Sequence, residues 1–198
     1  MKTDWQNVHS KVQEKRKKVT FNTMQIIAFG FLGVIFLGSI LLYLPISNQE
    51  PIAYLDALFV SVSAVCVTGL VTVFPAAQFT LFGKVVLLGL IQIGGLGVIA
   101  CTMAVFLAIR KKITMKSRVM IQQTYNLETL SGMVRFIIRI LKGTVLVEGI
   151  GAVLFAFHFV PEYGFIKGVA YGIFHSVSAF CNAGIDVLGT SSFMEYVS

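Results

Sequence analysis

Apolar and polar positions fall along this chain in long blocks, and the block lengths predict the elements. From Thr23 to Leu44 run 22 residues without a charge. At about 1.5 Å per residue such a helix covers about 33 Å, enough for a hydrocarbon layer of about 30 Å. A second uncharged stretch, Val85 to Ile109, carries Gln92 as its one amide. A third, Gly143 to Val160, is interrupted by Glu148 and His158 and extends backwards through Phe136. Three membrane spans are predicted. The first is expected to be a retained helix rather than a cleaved signal: it exceeds an apolar core of about 7–15 residues, and no small-x-small site follows before Pro45.

Between these blocks lie apolar runs too short to cross. Tyr54 to Cys66 spans 13 helix-compatible residues, a length that points to a re-entrant or buried helix. It follows the polar turn Ser47-Asn48-Gln49-Glu50-Pro51 and breaks at Val67-Thr68-Gly69-Leu70, before a fresh turn at Phe74-Pro75. The design recurs after the third span. Pro161 is expected to end that helix, a short apolar segment runs from Val169 to Cys181, and Asn182-Ala183-Gly184-Ile185-Asp186 breaks it.

A shift of 115 residues superimposes the two segments without a gap. Ser61-Val62-Ser63-Ala64 falls on Ser176-Val177-Ser178-Ala179, Phe59 on Phe174, Cys66 on Cys181 and Gly69 on Gly184. Six identities in the eleven positions 61–71, in register and ending on a glycine, mark an internal repeat. The organisation expected is a basic amino terminus (1–21), a first helix–loop–helix unit (22–109), a connection (110–135), and a second unit (136–198) that lacks its closing helix. A longer polypeptide is expected to contain it. The fold class is thus an all-α polytopic membrane protein with repeated helix–pore-loop–helix units, as in tetrameric-type cation channels.

Composition agrees with that class: 56% of residues are hydrophobic and 13% charged, where soluble domains carry about 25% charge. Charge placement predicts the orientation. Six of the 16 Lys and Arg precede the first span, and eight lie between Arg110 and Lys142; Lys84 and Lys167 are the other two. The positive-inside rule puts the amino terminus and segment 110–142 on the cytoplasmic side. The net charge of +7 is then explained by topology and anionic lipid, with no nucleic acid partner. Cys66, Cys101 and Cys181 sit in apolar surroundings, are expected as free buried thiols, and match no zinc spacing. Thr114 to Arg135 is read as a short cytoplasmic amphipathic helix, either interfacial or a docking surface.

Irregular backbone at membrane depth leaves polar groups unpaired at several kcal/mol each, so it survives inside protein or against a wet cavity. Two matching breaks therefore imply one cavity that both line. Backbone carbonyls there can replace the hydration shell of a cation. Glycine supplies the positive φ that turns a carbonyl inwards, and the negative dipole ends of the short helices aim at the same place. The expected cation-selecting residues are Val67, Thr68, Gly69, Leu70, Asn182, Ala183, Gly184, Ile185 and Asp186. A cation is expected to be held there by backbone groups of Thr68, Gly69, Ala183 and Gly184, with a Thr68 hydroxyl and an Asp186 carboxylate adding negative character.

The run Tyr54-Leu55-Asp56-Ala57-Leu58-Phe59, leading to Ser63-Ala64-Val65-Cys66-Val67-Thr68-Gly69-Leu70, and His175-Ser176-Val177-Ser178-Ala179-Phe180-Cys181-Asn182-Ala183-Gly184 resemble the Trk/Ktr/HKT superfamily of potassium transporters, of the KtrB type. The resemblance covers essentially the whole chain. It implies one pore built from four such repeats, the first two represented here by Gly69 and Gly184. It also implies a homodimer seated on a cytosolic nucleotide-binding regulatory ring of KtrA type. Nucleotide would bind that partner, and no organic cofactor is expected on this chain.

Other features have plainer readings. Gly94-Gly95-Leu96-Gly97 follows no strand and misses the dinucleotide spacing; close helix packing explains it. Glu148 is expected to face the bundle and pair with a polar group such as Gln92 or with a backbone donor, a structural role preferred over direct cation handling. His158 reads as interfacial, and His175 and Cys181 do not share a helix face as metal ligands would. No nucleophile–base pair stands out, so no enzyme is expected. A secondary transporter with broken helices would call for inverted repeats, whereas both units here begin on the same side. A structural anchor would leave the repeated breaks without a purpose.

Overall fold

The structure, a computed structural model, describes residues 23–97, 100–101 and 133–188. The basic amino terminus, the greater part of the 110–135 connection with its amphipathic segment, and residues 189–198 lie outside the described residues. Six α-helices are described: α1 (Thr23–Tyr43), α2 (Tyr54–Cys66), α3 (Pro75–Gln78), α4 (Leu81–Leu96), α5 (Met133–Tyr163) and α6 (Phe165–Phe180). Among the described residues the one β feature is an isolated bridge between Asn48 and Phe79.

The polar turn after α1 is a knot of caps rather than a free loop. Asn48 Nδ2 donates to the carbonyls of Leu42 (2.6 Å) and Leu44 (3.0 Å), at the end of α1 where the helix has no next turn of N–H groups to donate to its last carbonyls. Thr80 Oγ1 donates to the Ile46 carbonyl at 2.7 Å and accepts from Gly83 N–H, so one side chain starts α4 and pins it to the turn.

Long helix pairs with short helix twice, through the same residue of the repeat. Ser61 Oγ of α2 donates to the Ile35 carbonyl of α1 at 2.8 Å. Ser176 Oγ of α6, its equivalent 115 residues on, donates to the Glu148 carbonyl of α5 at 2.6 Å. Small residues set the spacing of the second pair: a Cβ on Gly168 would meet the Val160 backbone at 2.6 Å, and one on Gly172 the Ala152 carbonyl at 2.8 Å. Close backbone approach of this kind is how helices gain dispersion energy where lipid is as apolar as the side chains. The buried core runs through Leu42, Val60, Ala64, Leu87 and Ile91 to Phe174, Val177 and Ile185, joining both units.

Among the described residues one helix is long and apolar enough to cross a membrane, Arg135–Tyr163 within α5, and 6% of its apolar stretch is buried inside the molecule. Val145, Leu146, Ile150, Val153, Leu154 and Phe157 all face outwards. An apolar helix with so little cover needs an apolar solvent. The apolar stretches Ile27–Tyr43, Tyr54–Cys66 and Leu81–Leu96 are shorter.

Of the thiols expected to be buried, Cys181 is, whereas Cys101 is half-buried and Cys66, at the end of its short helix, is exposed. Three boundaries also differ from the expectation. The second uncharged stretch is not one helix from Val85 to Ile109: α4 stops at Leu96, where Gly97 takes φ 83° and ψ 143°, and a new turn begins with Cys101 N–H donating to the Gly97 carbonyl. Hydropathy cannot register such a break, because glycine adds no charge. Pro161 does not end α5, which continues to Tyr163. In the last turn its missing N–H costs a single bond, and the stop falls at Gly164, φ 81°. The helix α6 consequently starts at Phe165, four residues before Val169.

Candidate functional site: two glycine-bearing loops

Each short helix unwinds into its loop by the same backbone sequence. Val67 (φ 57°) and Asn182 (φ 60°) are both left-handed, and two residues later so are Gly69 (φ 75°) and Gly184 (φ 66°). The amide of Thr68 donates back to the Ser63 carbonyl at 3.0 Å, and that of Ala183 to the Ser178 carbonyl at 2.7 Å. Every one of these pairs is related by the 115-residue shift. The left-handed position suits asparagine, whereas a β-branched valine there is strained by about 1–3 kcal/mol.

The hydroxyl that follows each short helix down is used differently. Ser63 Oγ accepts from Thr68 Oγ1 at 2.9 Å. Ser178 Oγ donates to the Ile185 carbonyl at 2.7 Å and accepts from the Ile185 N–H at 3.1 Å, satisfying both backbone groups of one loop residue. Burial alternates along the second loop: Ala183, Ile185 and Val187 are buried, while Asn182 and Gly184 are exposed.

The structure brings the two loops into contact. A Cβ on Gly69 would overlap the carbonyl oxygen of Ala183 and lie 3.7 Å from the Gly184 Cα. Among the described atoms none lies within 4 Å of a Cβ on Gly184. Thr68 and Leu70 are exposed beside this contact, and Val67 and Asp186 are half-buried. The Asp186 carboxylate lies near enough to His175 to act on it electrostatically. His175 itself is a buried packing residue: its Nδ1 is 2.8 Å from the Tyr171 carbonyl, and its ring sits against Phe155, Phe159 and Phe174.

One turn of α4 backs both loops. A Cβ on Gly94 would strike the Val65 carbonyl, and one on Gly95 would lie 2.6 Å from the Cys181 Cβ. The glycine pair is therefore a packing device at the ends of both short helices, as its sequence context predicts. Gln92, two and three residues earlier, donates from Nε2 to Glu148 Oε1 at 2.9 Å, the pairing expected of an ionisable residue within a span. Just ahead of the uncharged part of α4, burial and then the like charge of Lys167 lower the pKa of Lys84 from its ordinary value.

The chemistry available is that of backbone oxygen. Among the described residues no three His, Cys, Asp or Glu side chains converge as metal ligands. The α2 and α6 carboxyl ends bring partial negative charge of about half an electron each. Sequence reasoning missed the Ser178–Ile185 bridge and the seat of Gly69 on Ala183. The serine was visible as a repeated position; the glycine's neighbour lies 114 residues away and leaves no local signal.

Comparison with known proteins follows the same line. Residues 5–198 match the family TrkH, described as a cation transport protein. The chain is 41% identical over 182 residues to the potassium/sodium uptake protein NtpJ of Enterococcus hirae, covering 91% of this chain and 40% of that protein. It is 39% identical over 181 residues to the Ktr system potassium uptake protein B of Bacillus subtilis (91% and 40%), and 34% identical over 184 residues to that of Vibrio alginolyticus (93% and 40%). It spans about 40% of the length of these relatives. On the family match and these identities, the chain belongs to the TrkH family of cation transport proteins, the Trk/Ktr group of KtrB type that its two glycine-bearing motifs resemble.

Proposed function

We infer that this chain supplies two carbonyl-lined loops of a channel-like path for potassium uptake, with some admission of sodium, across the bacterial plasma membrane. The observation that carries the reading is the contact of Gly69 with the Ala183 carbonyl, between loops of matching backbone conformation. Backbone oxygens of Thr68, Gly69, Ala183 and Gly184 stand in for water on the ion. Val67, Leu70, Asn182 and Ile185 hold those oxygens in place, and Asp186 adds negative potential at one mouth. One glycine per loop, in place of a longer glycine-rich signature, fits moderate discrimination between potassium and sodium, as does a relative named for both ions.

The amino terminus is cytoplasmic in this reading, on the basic residues that precede α1. Two relatives are named as parts of a Ktr system, which supports a partnership with a regulatory subunit; the form proposed for it is a homodimer gated by a KtrA-type cytosolic nucleotide-binding ring. The test is Gly69→Ser in the full-length protein, with potassium and sodium uptake measured side by side. A fall in potassium preference is expected; an unchanged preference overturns the assignment.

A further inference from the structure

The Gln92–Glu148 hydrogen bond joins α4 of the first unit to α5 of the second. Gln92 shares a helix face with Gly95, three residues on, and Gly95 abuts Cys181 at the end of α6. Beside it Gly94 abuts the last turn of α2 at Val65. This one stretch of α4 therefore touches the ends of both short helices and, through Gln92, the middle of α5. From α5 the linkage continues, because the Glu148 carbonyl accepts from Ser176 Oγ at 2.6 Å. Two residues further, Ser178 holds Ile185 by its side chain and Ala183 by its carbonyl. The linkage closes into a ring: Gln92, Glu148, Ser176, the last turn of α6, Cys181 and Gly95.

We propose that the Gln92–Glu148 pair sets the position of the second glycine-bearing loop against the first, and that Glu148 is a positioning residue for cation selectivity. It acts through α6 and does not touch the ion. The inference rests on the reading that the two loops line the cation path. A carboxylate–amide bond is charge-assisted and strengthened where water is scarce, so it resists sliding of α5 along α4. Ala183 already touches Gly69, so a shift of a few tenths of an ångström changes the separation of the carbonyl oxygens. Discrimination between cations depends on the size and field of such an oxygen cage.

The test measures the ratio of potassium to sodium uptake by the full-length protein in cells lacking other potassium uptake, normalised to the amount in the membrane. Gln92→Leu and Glu148→Leu are each expected to lower the ratio about tenfold, the scale of a lost hydrogen bond to a charged group. The double leucine variant is expected to be no worse, since both changes remove one bond. The exchange Gln92→Glu with Glu148→Gln reverses donor and acceptor and is expected to restore the ratio to within about twofold. Should the leucine variants not accumulate, Gln92→Asn, which retracts the donor by one methylene, is read in their place. Potassium and sodium uptake falling together at constant ratio, or no restoration on exchange, overturns the inference, because a purely packing role predicts both. Gly69→Ser is run alongside. If it shifts the ratio while the Gln92 and Glu148 variants do not, this inference alone fails; if Gly69→Ser leaves the ratio unchanged, the reading of the loops fails and takes this one with it.

Discussion

Gly69 carries its α-carbon against the carbonyl oxygen of Ala183, so close that a methyl group on Gly69 would overlap that oxygen. The equivalent glycine of the second loop, Gly184, has open space among the described atoms where its methyl would go. Two positions alike in sequence and in φ thus differ in their surroundings.

That difference predicts an asymmetry. Gly184→Ala meets only the backbone penalty of a left-handed alanine, about 1–2 kcal/mol. Gly69→Ala meets the same penalty and a collision with main chain that cannot rotate away. Gly69→Ala is expected to lower the thermal midpoint in detergent further than Gly184→Ala. Equal losses would mean that the Ala183 contact is not held in the folded protein.

A second prediction concerns the hydroxyls behind the loops. Ser178→Ala leaves both the N–H and the carbonyl of buried Ile185 without their partner, at about 1–3 kcal/mol. Ser63→Ala removes only an acceptor for the exposed Thr68 hydroxyl, which water can replace. Ser178→Ala should therefore destabilise the protein clearly more than Ser63→Ala, as read by thermal unfolding and by uptake. The reverse order would contradict the assignment.

The left-handed residues can be exchanged. Asn182→Val puts a β-branched side chain at φ 60° and is expected to cost about 1–3 kcal/mol. Val67→Asn relieves the same strain in the first loop and is expected to raise the midpoint, because the loop keeps its conformation while the side chain becomes one that tolerates it. A Val67→Asn variant less stable than its parent would show that Val67 packing outweighs its backbone strain.

In α4 neighbouring glycines should separate cleanly. Gly94→Ala drives a Cβ into the Val65 carbonyl and should reduce the amount of folded protein in the membrane severely. Gly89→Ala, with no described atom within 4 Å of its Cβ, should be neutral or stabilise by about 0.5–1 kcal/mol through helix propensity. Fluorescence-detected size-exclusion profiles of the two variants would check this directly.

Elements whose cause is local can be read from the chain alone. Uncharged length made α1 and α5 visible, the 13-residue run Tyr54–Cys66 appeared in the structure with the bounds read from it, and the 115-residue register carried the two left-handed turns with it. That Glu148 needs a partner was legible too, because an acid within an apolar stretch demands one; of Gln92 and a backbone donor, the fold selected Gln92. Tertiary structure decided what hydropathy cannot encode. Gly97 breaks α4 although an uncharged helix could have continued, and Pro161 is absorbed in a last turn that Gly164 ends. Only the fold shows that Gly69 rests on Ala183 while Gly184 faces open space, since that depends on which neighbour a rigid backbone meets across more than a hundred residues. A repeated sequence specifies a repeated conformation; the packing around each copy specifies what a side chain there would cost.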